Sequence, residues 1–340
     1  MATVTPQQLR QWMTAFLTRV AVPEEEAQLI AGVRTEAALR DPMGFDLFAA
    51  RNLVHVVERL QAGGLNPRPA LRVVHTSGAL ALVDGDAGIG QLVGVRAMEL
   101  CLRLVQTHGI ALVGARRSSS LGAMAYYAMM ALSQHYIGCA ATNTELRIGM
   151  PPWGGVTPTL GNNPFAVAIP REEGPPIVLD MSLTATEPQT VQPGTLLHRQ
   201  ALLGGGQVAR PVMGGHKGYA LAVVLEILCG VLTGAGFGLH HAQERLEAPA
   251  TPPDLGHLFL ALDLQQLLPL SLFQERLTTL IQQIYASAQA PGSAGIVLPG
   301  ELEAARREAR LQRGIPITAE AFLTLQTLAH TLGVSLEACM

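Results

Sequence analysis

Lys217 stands in the run Pro211-Val212-Met213-Gly214-Gly215-His216-Lys217-Gly218-Tyr219, which leads straight into an apolar stretch. Glycines at a loop-to-helix junction leave backbone N–H groups free, and a lysine beside them adds a mobile positive charge. That pairing suits a phosphate or a carboxylate. The G-x-x-x-x-G-K-[ST] spacing of a P-loop is absent, so ligand binding and a plain structural junction both stay open. Pro299-Gly300-Glu301 opens another helix, where the glutamate reads as ordinary first-turn capping or as a ligand contact. Pro151-Pro152-Trp153-Gly154-Gly155, followed by Leu160-Gly161-Asn162-Asn163-Pro164-Phe165, is a loop that either rings a polar ligand with backbone donors or simply turns the chain.

Gly88-Ile89-Gly90 with Gly94 lies between an apolar strand and a helix. Its spacing is G-x-G-x-x-x-G, and the next strand ends in Arg116-Arg117 rather than an acid. A tight turn opening an ordinary helix is therefore preferred over a dinucleotide fingerprint, which would make those arginines a 2′-phosphate site. Metal-ligand spacings and G-x-S-x-G are absent, so no metal and no serine nucleophile are expected.

The elements that must position these residues change in texture along the chain. The first seventy residues read as helices: Thr5-Pro6 has the form of an N-cap and N1 proline, and Pro23-Glu24-Glu25-Glu26 suits another first turn. A third helix spans about 46–61 and stops at Gly63-Gly64. Strands fit 71–74, 79–83, 109–115, 137–142, 165–169, 177–180 and 295–298; helices fit 90–107, 122–134, 218–233, 271–287, 302–313 and 318–332. This alternation predicts a mixed α/β domain flanked by helices from both chain ends.

At 340 residues and 49% apolar, the chain can bury a large core, and a net charge of −3 argues against disorder and against nucleic acid as a partner. Charged residues are only 14%, which suits subunit contacts as well as a compositional bias. Cys101, Cys139, Cys229 and Cys339 form no CxxC pair and read as free thiols of a reducing compartment. The N-terminus lacks the pattern of a secretory signal, so a cytoplasmic location is expected. Residues 219–238 are long and apolar enough to suggest a membrane span, but Glu226 near their middle makes a buried helix the preferred reading.

Taken in order, several runs resemble the second type of malate/L-lactate dehydrogenase, the family of ureidoglycolate dehydrogenase, 2,3-diketogulonate reductase, sulfolactate dehydrogenase and piperideine-2-carboxylate reductase. They are Leu82 to Asp86 with Gly88, Gly90 and Gln91; Gly122 and Ala125-Tyr126-Tyr127-Ala128; Thr142-Asn143-Thr144; and Pro152 to Gly155. Leu160 to Pro164, Val178 to Ser182, Gly214 to Tyr219, Pro299 to Glu301 and Arg313-Gly314-Ile315-Pro316 follow. The resemblance implies a fold that is α/β (α+β) but not Rossmann. It implies a helical domain from 1–72 with 300–340, and a mixed-sheet nicotinamide cofactor domain over 73–299. It also implies NAD or NADP as cofactor, a homodimer with active sites near the interface, and cofactor contacts at Thr144, Asp180, Met181, Ser182, His216, Lys217, Pro299, Gly300 and Glu301.

The departures lie on the substrate side. The family carries D-x-H-G followed closely by an arginine; here the stretch is Asp41-Pro42-Met43-Gly44-Phe45-Asp46-Leu47. Met43 occupies the histidine position and is not expected to be catalytic, because a thioether is no general acid; Leu47 cannot pair with a carboxylate. Ser120 occupies a second histidine position and is the remaining catalytic candidate there. The segment between Ser182 and Pro211 is shorter than the family's, with Gly204-Gly205-Gly206 as a compact turn.

Two functions follow. One is an NAD(P)-dependent oxidoreductase acting on a small ketone, imine or 2-hydroxyacid-like substrate. The other is a catalytically inactive cofactor-binding paralogue that serves as a structural or regulatory partner, as a homodimer or a heteromer with an active paralogue.

Overall fold

The computed structural model describes residues 2–146, 148–184, 202–203, 207–209, 212–241 and 248–336. Strand β1 (Ala2–Val4) precedes helices α1 (Pro6–Arg19), α2 (Glu24–Arg40) and α3 (Leu47–Gln61). Next come β2 (Arg72–Ser77), β3 (Leu80–Gly88), α4 (Gly90–His108), β4 (Ile110–Ser118), α5 (Ala125–Met129) and β5 (Tyr136–Thr142). Strands β6 (Ile148–Gly149), β7 (Phe165–Ile169), β8 (Ile177–Met181), β9 (Leu202–Leu203) and β10 (Gln207–Ala209) lead to α6 (His216–Glu226), which continues as a π-helical turn over Ile227–Val231. The chain closes with β11 (Leu255–Asp263), α7 (Leu270–Tyr285), α8 (Glu301–Arg313), β12 (Ile315–Ile317) and α9 (Ala319–Leu332).

Local chemistry accounts for the helix starts. Thr5 and Gln8 form a capping box ahead of α1, with Pro6 at its first position, and Leu9, Trp12, Met13 and Phe16 are buried along one face. Asp46 caps α3 by accepting the Ala49 N–H at 2.9 Å. These helices share a core with α9: Leu9, Phe16, Leu53, Ile315 and Leu325 all belong to one buried cluster. Strand β1 pairs antiparallel with β12, so the two chain ends are joined by backbone as well as by side chains.

The main sheet has the order β2-β3-β4-β11-β5-β7-β8. Only β3 and β4 run parallel, joined through α4; the other neighbours are antiparallel. The fold is thus mixed α/β and not Rossmann, as the resemblance implied. Its core packs Met98, Cys101 and Val105 of α4 against Val113, Phe259 and Ala261 of the sheet.

Three local expectations fail. Strand β11 sits in the middle of the sheet, where sequence reading placed no element; a fully buried histidine, His257, interrupts its apolar alternation. No strand forms over 295–298. There Leu298 donates its N–H to Glu301 and the Pro299 carbonyl accepts the N–H of Val178. The helix expected over 122–134 shrinks to α5 and a 3-10 turn over Met130–Gln134, because Gly122 has φ +79° and the Ala125 N–H is committed to Asp180. Residues 204–206, most of the shortened segment, Pro211 and Cys339 lie outside the described residues. The apolar stretch over 219–238 is α6 with its continuation, and no helix among the described residues is long and apolar enough to cross a membrane.

Candidate active site

Edge strand β8 carries Asp180 and Met181, two of the expected cofactor contacts, and bonds to the Pro299 turn. At its start, the N–H of Val178 bonds to the Pro299 carbonyl at 2.9 Å. Gly300 has φ +90°, and a Cβ there would lie 2.9 Å from the Val178 side chain, so only glycine brings this turn so close. Glu301 accepts the Leu298 N–H at 2.9 Å, pairs with Arg171 at 3.3 Å and bonds the Tyr285 hydroxyl. Desolvation pushes its carboxyl pKa up, but those three donors outweigh it and hold the pKa below the usual value. The Glu301 side chain is therefore already committed within the chain, as capping would have it, and the backbone of Pro299-Gly300 is what faces β8.

Past the end of β8, the Leu183 N–H bonds to the Asn162 carbonyl at 2.9 Å, and the Leu183 carbonyl accepts the Met213 N–H at 2.8 Å. The Thr144 hydroxyl donates to Asn162 Oδ1 at 2.7 Å, and the Ser182 and Thr184 hydroxyls lie 3.1 Å apart. Trp153 meets His216 edge to face at 5.8 Å, and its ring also lies beside Gly215. Hydrogen bonds thus join the Thr144 loop, the Asn162 loop, the residues after β8 and Met213, which shortly precedes the start of α6 at His216. Arg59 of α3, almost fully buried, pairs with Glu145 at 3.3 Å and so pins the Thr144 loop to the helical core.

Lys217 is exposed, with no acidic partner among the described residues, at the first turn of α6. No side chain caps that helix. An unpaired cation beside uncapped helical N–H groups and an exposed indole is a donor set that fits a dinucleotide's phosphates.

Asp180 is the titratable group of β8, an exposed residue whose carboxyl is nonetheless crowded by neighbouring atoms. Burial lifts its carboxyl to about 6, against the Ala125 N–H at 2.8 Å and the Met124 N–H, while Glu303 adds to the rise. Sequence reading placed Asp180 among cofactor contacts; its proton affinity comes from packing that the motif alone does not reveal.

Ser120 begins the loop that ends at Ala125, so it shares a segment with the partner of Asp180. Its side chain is exposed, and its carbonyl accepts the Gln91 amide at 3.2 Å. The neighbouring Ser119 hydroxyl caps α4, accepting the Gly90 N–H at 2.8 Å. A Cβ on Gly90 would lie 2.2 Å from the Ser119 carbonyl oxygen. The glycine-rich turn therefore admits the chain's own backbone rather than a phosphate. Arg117 pairs with Asp84 at 2.9 Å, which removes it as a 2′-phosphate site.

Met43 is 51% exposed, in a turn locked by its surroundings. Its N–H bonds to Asp41 at 2.7 Å, and Arg310 of α8 donates to the carbonyls of Ala38, Asp41 and Pro42. Arg306 on the same helix donates to Glu303 at 2.7 Å and to the Arg40 carbonyl at 3.5 Å. Helix α8 thereby links the Met43 turn to the neighbourhood of Asp180. Phe48, just after Leu47, is also exposed.

A mostly antiparallel mixed sheet with an acid on its edge strand, and a separate lysine at an uncapped helix start, defines a non-Rossmann α/β protein. The chain belongs to the malate/L-lactate dehydrogenase family, whose sequence model matches residues 4–193 and 186–326. It is 30% identical to the malate dehydrogenase of Pyrococcus horikoshii, over 97% of this chain and 96% of that one. The solved structure of that enzyme superposes with a TM-score of 0.85, covering 98% and 96% of the two chains. The L-sulfolactate dehydrogenase of Methanocaldococcus jannaschii is 29% identical over 98% of each chain. The delta1-piperideine-2-carboxylate reductase of Pseudomonas syringae pv. tomato shares the fold, with a TM-score of 0.79 at 24% identity over 97% of this chain and 100% of the other. The family's dehydrogenases are NAD(P)-dependent, in keeping with the expected NAD or NADP.

Proposed function

We propose that the chain is an NAD(P)-dependent oxidoreductase that works on a small ketone, imine or 2-hydroxyacid-like substrate. The observation that carries this reading is Asp180: a carboxyl with a pKa of about 6 on the strand that also carries Met181 and bonds to the Pro299 turn. A bound nicotinamide would supply or accept the hydride. Lys217 and the first turn of α6 would hold its phosphates, with Thr144, Ser182 and the Pro299-Gly300 backbone along the cleft. Asp180 would give a proton to the reduced oxygen or nitrogen, and take it back in the reverse direction. Met43 and Leu47, at the family's histidine and arginine positions, leave the substrate lip apolar. Exposed Met43 and Phe48 support a substrate without the usual carboxylate.

The proposal includes a cytoplasmic homodimer. Val224, Ile227 and Val231 on α6 and its continuation, and Leu232 just after, are exposed, which supports a second copy seated on this row. The test is turnover with neutral ketones and cyclic imines against 2-keto acids. Reduction of the former, lost in Asp180→Asn, supports the reading; activity unchanged in Asp180→Asn overturns the role of Asp180.

A second reading is favoured by Met43 itself. An exposed thioether in a rigid turn offers no proton, so a cofactor-binding, catalytically inactive partner subunit is the alternative. Binding of NADH without turnover of any ketone, imine or alcohol would select it.

A further inference from the structure

Glu226 lies near the end of α6, only 6% exposed, and no lysine or arginine is paired with it among the described residues. Three donors converge on its carboxylate instead. Oε1 accepts Asn143 Nδ2 at 3.3 Å and the Gly238 N–H at 2.8 Å; Oε2 accepts Asn163 Nδ2 at 2.7 Å. A buried carboxylate held only by amides persists where the surrounding donors are fixed, since each lost donor leaves desolvated charge behind.

The partners of Glu226 are the chain neighbours of residues assigned to the proposed cofactor site. Asn143 precedes Thr144, and its Oδ1 accepts the Gly256 N–H at 2.9 Å, joining this loop to β11. Asn163 follows Asn162, which holds both the Thr144 hydroxyl and the Leu183 N–H. Asn163 has φ +30° and also donates to the Ala222 carbonyl at 3.1 Å, one turn above Glu226. Gly238 belongs to the turn that carries His241, whose Nε2 is 3.2 Å from Asn143 Nδ2. Helix α6 itself begins at His216 and Lys217. One carboxylate thus ties the Thr144 loop, the Asn162 loop and the helix that bears Lys217 into a single arrangement.

We propose that Glu226 is a positioning residue for the cofactor site, acting through Asn143 and Asn163 to set Thr144, Asn162 and the α6 start at one spacing. The proposal deepens the oxidoreductase reading and rests on it for the identity of the ligand. The charge matters because all three partners donate. A glutamine can accept from Asn143 and Gly238 with its oxygen, but its amide then faces the Asn163 amide. Turning Asn163 over to meet it would set Asn163 Oδ1 against the Ala222 carbonyl.

The experiment compares wild type, Glu226→Gln, Glu226→Asp and Leu325→Ala, the last removing volume from the distant helical core. Each is measured for backbone hydrogen exchange and for NADH and NADPH affinity, at a temperature where circular dichroism shows every variant folded. We expect Glu226→Gln to raise exchange across 142–146, 160–165 and 213–219 and to weaken nucleotide binding by about tenfold. Leu325→Ala should raise exchange in the helical core alone and leave affinity within about twofold. Glu226→Asp, which keeps the charge, should restore part of the lost affinity. Unchanged exchange in those three segments in Glu226→Gln overturns the proposal, as does unchanged affinity in a protein that binds. If wild type binds neither nucleotide, the cofactor reading fails, while exchange in the three segments still decides whether Glu226 sets their arrangement.

Discussion

At the scale of single residues, protonation sets the sharpest expectations. Burial lifts Asp180 to about 6 in the folded chain, above its unfolded value. The folded state then holds the proton more tightly, so stability falls as pH rises between the two values and is level above about 6. Asp180→Asn keeps an acceptor for the Ala125 N–H and should remove that slope, which thermal melts at about pH 4 and 8 would show. Turnover should respond in kind: reduction, which needs the acid, should decline as pH rises through about 6, and oxidation should increase. His257 has the opposite sign. Burial pushes its imidazole down to about 3, while Thr142 Oγ1 lies 2.7 Å from Nδ1. The unfolded chain takes up this proton first, so stability is lost as pH falls below about 6.5, on the order of 4 kcal/mol by pH 3. Urea unfolding of His257→Gln should show a flatter acid limb than wild type. The motif V-L-D-M-S makes Asp180 visible in sequence, but its proton affinity and the presence of His257 beside Thr142 depend on chains that meet only after folding.

At the scale of elements, most of the helices are legible because their caps are local. Thr5 with Gln8 and Asp46 with the Ala49 N–H act within one turn. Strand β11 is not legible, since its register is set by β4 and β5, far away in sequence, and its core position holds a histidine. The loop Leu160 to Pro164 stands out in sequence as a ligand candidate, and Thr142-Asn143-Thr144 as part of the family resemblance. Asn143 and Asn163 instead turn inward to Glu226, and Asn162 braces Thr144. The glycine-rich turn before α4 is likewise a packing device. Gly90→Ala would drive a Cβ against the Ser119 and Ser120 carbonyls, and should destabilise the fold by about 2 kcal/mol or more while displacing Ser120. Chemical denaturation read beside the wild type checks this; equal midpoints would mean that the turn has room to spare.

At the scale of the whole molecule, one buried cluster draws on both chain ends and another lies between α4 and the sheet. The candidate-site segments are braced from the helical side: Arg59 of α3 reaches Glu145, and Arg310 of α8 holds the Met43 turn. Loss of packing at Leu325 should therefore cost roughly 2–5 kcal/mol without altering the site directly. The exposed apolar row on α6 belongs to this scale too. If a second copy covers it, Ile227→Glu should yield a monomer in analytical ultracentrifugation, and an unchanged sedimentation coefficient would move the interface elsewhere. An apolar row on a helix is readable from sequence, but which side is left uncovered is known only once the chain's own core is placed. The central claim, that this family member binds a nicotinamide nucleotide through the α6 start, is tested most directly by titrating the protein with NADH and NADPH while following Trp153, which lies against His216. Saturable quenching in wild type, weakened by at least about tenfold in Lys217→Ala, is the expected result, and no binding of either nucleotide at about millimolar concentration would contradict it.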